Sequence, residues 1–310
     1  MSAHLIALDW GTSNLRASLL GDDGAVIDTR SAASGVMAVR ERRFADALTS
    51  LCGPWLAAHP HCECIASGMI GSRQGWVEAP YIDCPAGLSD AAARLTPMAF
   101  GEGHTLHIVP GLRCVGASGQ ADVMRGEETQ LLGSVPADAP RTLVVLPGTH
   151  SKWARVEHGV VLDFTTFMTG EMYDALLGHT ILGRLPADAP AVNGPAAFER
   201  GVLRGLGAGG FTHDVFGART LMLMGELPAG DVPEWLSGFV IGREIRNART
   251  WAQHAGDDAS RVLVVGSDAL ASRYLTALRV SEIAATPGPV DAAAAGIYRI
   301  ALAAGKLGHA

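Results

Sequence analysis

Two Gly-Thr steps, each following a short apolar run, are the residues of this chain best suited to hold a polyphosphate. The first is Asp9-Trp10-Gly11-Thr12-Ser13, behind the apolar run 5–8. The second is Pro147-Gly148-Thr149-His150-Ser151, behind Val144-Val145-Leu146. A glycine lets backbone N–H groups approach a phosphate, and the hydroxyls of Thr12, Ser13 and Thr149 can donate beside them. Asp9 falls at the carboxyl end of an expected strand, where a carboxylate can hold Mg²⁺ directly or through water. One Asp-x-Gly-Thr sequence is as well explained by a structural turn. Two in the same local context favour phosphate binding. No Gly-x-x-x-x-Gly-Lys-[Ser/Thr] sequence occurs, which excludes a P-loop.

Three further groups carry chemistry. Asp122 precedes the second turn in sequence, and phosphoryl transfer to an alcohol needs a carboxylate that accepts the hydroxyl proton. Its apparent place at the start of a helix suits an N-cap equally well. Gly266-Ser267 ends the apolar segment 261–265. A glycine there would let an adenine or ribose lie against the backbone, although a plain strand-to-helix turn fits the spacing too. Ser72, Arg73 and Trp76 lie in a segment bracketed by Gly71 and Gly75. That set suits a polar, anionic small molecule, with Arg73 forming a two-point contact to a carboxylate. The surface-loop reading has comparable weight there.

The elements that must position these groups are legible from periodicity. Each Gly-Thr turn is followed by a hairpin: 15–20 returns through 25–29, and 152–156 returns through 160–165. This is an internal repeat of strand, turn, strand and hairpin. Apolar spacing predicts helices over 44–58, 121–132, 172–182, 198–206, 215–223, 233–255 and 291–304. Strands are expected at 64–67, 106–109, 142–146 and 261–265. The polar, proline-bearing stretch 134–141 marks a boundary between residues 1–135 and 136–310, with the final helix near the junction.

Composition limits the function classes. The 310 residues suffice for two domains, and 48% apolar residues indicate a globular chain. A formal charge of −7 argues against a nonspecific grip on nucleic acid. No apolar stretch has the length of a membrane span, and the N-terminus lacks the basic region of a signal peptide. A cytoplasmic location is expected. The five scattered cysteines suit reduced thiols. His59, His61, Cys62 and Cys64 are metal-ligand types, but no second pair with zinc-like spacing accompanies them.

Together these residues resemble the superfamily of sugar kinases, hexokinase, Hsp70 and actin. Within it, the chain is similar to the 2-dehydro-3-deoxygalactonokinase family. The resemblance rests on Asp9 to Thr12, Gly148-Thr149 and Gly266-Ser267, and on the blocks 68–76, 125–130, 146–153 and 167–171. It spans most of the chain in the expected order. Pro147 departs from the small or apolar residue of many related kinases.

The resemblance implies an α/β, two-domain actin-like ATPase with ribonuclease-H-like mixed sheets, flanking helices and an interdomain cleft. It implies ATP and Mg²⁺, and transfer to the C6 hydroxyl of 2-keto-3-deoxy-D-galactonate in galactonate catabolism. On that basis Gly11, Thr12, Ser13, Gly148 and Thr149 hold phosphates, and Gly266 and Ser267 serve the adenosine. Asp9 orients hydrated Mg²⁺, Asp122 takes the proton, and closure of the domains removes water. The expected partner is a small sugar acid, without nucleic acid or membrane. A kinase for another sugar or amino sugar, or an ATP-binding regulatory module without transfer activity, are the alternatives. Neither epimer preference nor oligomeric state is legible.

Overall fold

A computed structural model describes residues 3–101, 103–116, 119–186 and 189–307. Its first elements are β1 (Ala3–Trp10), β2 (Leu15–Gly21), β3 (Val26–Ala32), α1 (Phe44–Ala58) and β4 (Glu63–Ser67). Then come β5 (Tyr81–Asp83), β6 (Ala86–Gly87), α2 (Leu88–Ala93), β7 (Thr96–Phe100) and β8 (His104–Ile108). Next are β9 (Gly111–Val115), β10 (Ala121–Met124), α3 (Glu127–Ser134), β11 (Thr142–Leu146), β12 (Ser151–Glu157) and β13 (Val160–Phe167). Four helices follow: α4 (Thr169–His179), α5 (Gly194–Leu206), α6 (Phe211–Asp214) and α7 (Gly217–Leu223). The chain ends with α8 (Val232–His254), β14 (Arg261–Val264), α9 (Asp268–Val280), β15 (Ala284–Pro287) and α10 (Ala292–Ala303).

The chain divides into two compact units. Unit 1 comprises Met1–Thr142, Ala154–Phe164 and Pro289–Ala310; unit 2 comprises Leu143–Trp153 and Thr165–Gly288. Unit 1 is built on a mixed sheet of order β3-β2-β1-β4-β8-β7. β1 pairs antiparallel with β2 and parallel with β4, which puts Asp9 opposite both Arg16 and Ser67. One face carries α1, whose Phe44, Leu48, Cys52, Trp55 and Leu56 are buried at helical spacing. On the other face Leu5, Leu20 and Ile65 pack with Ile297 and Ile300 of α10. A small sheet of order β10-β9-β5 completes the unit.

In unit 2, β14 pairs parallel with β11 and with β15. The apolar residues of these strands are covered by α8 and α9, with Trp153, Phe198, Ile241, Ile245 and Tyr274 in the core. Helix α5 packs unusually close to α8. A Cβ at Gly201 would stand 2.0 Å from the Trp235 carbonyl oxygen, and one at Gly238 2.0 Å from that of Phe198. Any side chain there would force the helices apart.

Most of the expected elements are present, and α1 has the predicted bounds. Two expectations are corrected. The helix expected over 121–132 is split: residues 121–124 form β10, Gly126 breaks the chain at φ 108°, and α3 begins at Glu127. Pairing of β10 with β9 overrides the helical propensity of its Ala and Met residues. The final helix belongs to unit 1, not to the C-terminal part. Its Gly296 lies so near α3 that a Cβ would be 1.9 Å from the Thr129 carbonyl oxygen.

Candidate active site

In unit 1 the end of β1 carries Asp9 to the first Gly-Thr turn. Gly11 N–H donates to the Asn14 carbonyl at 2.9 Å, closing the turn. The carbonyl oxygens of Gly11, Thr12 and Ser13 accept from the amides of Val36, Met37 and Gly35 at 3.0, 3.1 and 3.0 Å. The turn's carbonyl oxygens are thus satisfied by the neighbouring segment 35–37. Thr12, Ser13 and Asn14 remain exposed.

Two more turns stack on this strand end. Gly68, at φ 96°, lies against Trp10, where a Cβ would be 2.8 Å from its carbonyl oxygen. Gly126 in turn packs on Gly68, 3.1 Å from its Cα to the place of a Cβ. The stack brings together Asp9, the loop 68–76 and the start of α3. Glu127, the first residue of α3, is close enough to act on Asp9. Burial pushes the Asp9 carboxyl up; Arg16 opposes this and the Glu127 charge adds to it. Glu127 Oε2 accepts the Arg125 N–H at 3.0 Å. Behind it, Glu128 is fully enclosed. Burial and Glu127 raise its carboxyl to about 7, against hydrogen bonds from Gly126 N–H and the Thr129 hydroxyl.

Asp122 sits on β10 opposite Cys114, not at a helix start. The helix-opening carboxylate is Glu127. In the loop, Ser72 gives its hydroxyl to the Met69 carbonyl at 2.7 Å. Trp76 packs edge-on to Trp10 and Phe100 and stacks on Phe44, so its ring belongs to an aromatic core. Arg73 is 83% exposed and bonded to Glu78 at 3.0 Å. Ser72, Arg73 and Trp76 therefore have separate roles and do not converge on one point.

Two arginines that spacing did not single out support this loop. Arg42 donates to the carbonyls of Gln74, Gly75 and Trp76. Arg125 is buried, stacks over Tyr81 at 4.3 Å and donates to the Ala79 carbonyl at 2.8 Å. Its Nη1 would be 2.8 Å from a Cβ at Gly71, which accounts for the glycine there. A buried guanidinium is signalled in sequence only by an arginine flanked by Met124 and Gly126, which is weak.

In unit 2 the second turn repeats the design. The Thr149 carbonyl accepts from the Glu171 amide at 3.1 Å, and Gly170 packs on the turn, where a Cβ would be 2.7 Å from the Gly148 oxygen. His150 Nε2 meets Glu171 Oε2 at 2.5 Å. Lys152 is buried and donates to the His150 carbonyl at 2.9 Å. The block 167–171 thus closes over the turn.

A cavity of about 280 Å³ opens beside it, walled by α4, α8 and α9. Gly148, Gly170 and Thr169 form one side, Val240, Ile241 and Leu270 supply apolar surface, and Glu234 with Arg273 supplies charge. The pair is joined at 2.8 Å. Gly266 lies beside Pro147, 3.5 Å from its Cδ to the place of a Cβ, and Ser267 leads into α9. Neither lines the cavity, because the concave surface comes from helix faces rather than from the strand end.

The family model of 2-keto-3-deoxy-galactonokinase matches residues 9–300. The chain belongs to that family. It is 36% identical to 2-dehydro-3-deoxygalactonokinase of Escherichia coli (strain K12), over 97% of this chain and 98% of that one. It is 39% identical to a Rhizobium meliloti (strain 1021) protein named for the same activity, over 89% of each. A crystal structure from Sinorhizobium meliloti, named likewise, superposes with a TM-score of 0.82 at 36% identity, covering 97% and 98%. Two solved proteins at 12% and 11% identity, with TM-scores of 0.50 and 0.51, share the fold alone. The family member is thus an actin-like sugar kinase, a transferase that uses ATP. Among the described residues no helix is long and apolar enough to cross a membrane.

Proposed function

We propose that this chain transfers the γ-phosphoryl group of ATP to the C6 hydroxyl of 2-keto-3-deoxy-D-galactonate, in cytoplasmic galactonate degradation. The observation that carries the reading is the paired Gly-Thr turn. A neighbouring segment satisfies three carbonyl oxygens of the first turn and that of Thr149 in the second, leaving the exposed hydroxyls of Thr12, Ser13 and Thr149 as donors for phosphate. The family membership supplies the substrate. In unit 2 the cavity beside Gly148 suits the adenosine, with apolar walls for the base and Glu234 and Arg273 for polar edges. Gly266 and Ser267 support its neighbourhood from behind Pro147.

In the reaction, the C6 oxygen forms a bond to the γ-phosphorus as the bond to the β-bridging oxygen breaks, releasing ADP. The hydroxyl proton must pass to a carboxylate. Glu127 suits that role better than Asp122, because it opens α3 in the stack that holds Asp9. Among the described residues Arg73 is held by an exposed ion pair to Glu78, a contact worth about 0.2–1 kcal/mol. It is therefore free to turn to the substrate carboxylate.

Mg²⁺ fits the residues present. It keeps several waters and takes one or two carboxylates. Asp9 is one carboxylate at a strand end, pushed toward protonation by burial and by Glu127, and a cation would relieve both. No group of three ligating side chains occurs among the described residues. When bound, Mg²⁺ neutralises phosphate charge during transfer.

The test is ADP release with Mg-ATP and 2-keto-3-deoxy-galactonate, beside its gluconate epimer, neutral hexoses and a no-sugar control. Turnover with the galactonate acid and none with neutral hexoses is expected. Turnover confined to neutral sugars would reject the substrate, and none with any sugar would reject transfer.

A further inference from the structure

Beneath the second Gly-Thr turn, unit 2 buries a carboxylate that the phosphoryl-transfer chemistry does not use. Glu244, on α8, is 2% exposed. Its Oε1 accepts from the Trp153 indole at 2.7 Å and its Oε2 from the Tyr274 hydroxyl at 2.7 Å. Tyr274 in turn meets the Ser151 hydroxyl at 2.8 Å, and Ser151 Oγ faces the Gly148 amide at 3.4 Å. Ser151 and Tyr274 are themselves buried. The chain Glu244–Tyr274–Ser151–Gly148 runs from the middle of α8 to the turn itself. Tyr274 and Gly148 also line the cavity beside that turn.

With Glu244 ionised, the donor inventory sets the direction of each hydrogen bond. A carboxylate only accepts and an indole only donates. Tyr274 therefore spends its single proton on Glu244, so toward Ser151 it can only accept. Ser151 then points its proton inward. What its oxygen offers Gly148 is a lone pair, and the amide of the turn is held by it. Burial pushes the Glu244 carboxyl up, and hydrogen bonds from Thr169, Tyr274, Trp153 and Ser151 act against that push. Such a group is costly to bury and is better explained by the order it imposes than by stability.

We propose that Glu244 is a positioning residue for nucleotide binding: through Tyr274 and Ser151 it fixes the orientation of the Gly148 amide in the second phosphate turn. The inference rests on the reading of that turn as a phosphate site and adds the element that sets its geometry. Glutamine at 244 would keep the shape and reverse the order. Its oxygen must face the Trp153 indole, so its NH₂ faces Tyr274. The phenol proton then turns to Ser151, and the Ser151 proton is pushed out against the Gly148 N–H.

The experiment is calorimetric titration of ADP into the full chain and into Glu244→Gln, Ser151→Ala and the double variant, with thermal midpoints and steady-state kinetics alongside. Glu244→Gln and Ser151→Ala should each weaken ADP at least fivefold and raise the KM for ATP, leaving the KM for the sugar acid unchanged. The double variant should bind no more weakly than Ser151→Ala, since without that hydroxyl the reversed order has nothing to act on. ADP affinity in Glu244→Gln equal to the unmodified chain, or losses that multiply in the double variant, would overturn the role. Should Glu244→Gln fail to fold, Tyr274→Phe takes its place with the same expectations and the same non-additivity. Thr149→Ala, titrated in parallel, separates the two levels. If it binds ADP unchanged, the turn does not hold phosphate, and the positioning role falls with that reading.

Discussion

At the residue scale, the acid–base assignment turns on five positions of chain. Asp122 and Glu127 are both acidic and close in sequence, yet one lies on β10 and the other opens α3. The Glu127 charge acts on Asp9. Glu127→Gln should lower kcat by roughly 10²–10⁴-fold, the usual span for a general base, with a smaller effect on the KM for ATP. Asp122→Asn should lower kcat less than tenfold; the reverse order of the two would return the proton-accepting role to Asp122. On the sugar side, Arg73→Ala should raise the KM for the keto acid about tenfold, the change expected for roughly 1.4 kcal/mol of lost charge-assisted bonding. An unchanged KM would leave Arg73 a surface residue. Sequence suggested Asp9, the Gly-Thr turns and Arg73 through type and spacing. It could not show that Trp76 belongs to a ring cluster or that Arg125 is buried, since both depend on residues distant in the chain.

At the scale of elements, the repeated hairpin and α1 were legible because their periods of 2 and 3.6 run uninterrupted. The strand β10 was not. Its four residues reach α3 across Arg125 and Gly126 alone, and only pairing with β9 decides their conformation. The marker lay in Gly126, whose φ of 108° is open to few other residues. The first turn of α3 also carries a titration. An enclosed Glu128 with its carboxyl raised to about 7, against 4.5 for the free group, binds more protons folded than unfolded between those values. Its contribution to stability is therefore complete below pH 4.5 and lost as pH rises through 7. Thermal unfolding across that range should show a shallower decline in Glu128→Gln than in the unmodified chain. Parallel curves would mean that Glu128 titrates alike in both states.

At the scale of the whole molecule, the final helix completes the first unit. Ile297 and Ile300 of α10 are buried with Leu5, Leu20 and Ile65, and each such burial contributes roughly 1.5–3 kcal/mol. Against a typical net stability of about 5–15 kcal/mol, loss of the helix is not tolerable. A chain ending at Gly288 should be insoluble or should lack the cooperative unfolding of the full chain, and a folded, ATP-binding truncation would contradict this packing. Proline and polar composition suggested a boundary near 135, whereas the first division between the units falls after Thr142; the return of the last segment had no such signal, because nothing in an alanine-rich helix names its neighbour. That return has a consequence for biosynthesis. The helix that covers the sheet of the first unit and braces α3 is translated after every strand of that sheet and after the whole second unit. While the rest of the chain is being made, Leu5, Leu20 and Ile65 present an open apolar face. The first Gly-Thr turn, stacked on α3 through Gly68 and Gly126, can thus gain its full support only after α10 has been made.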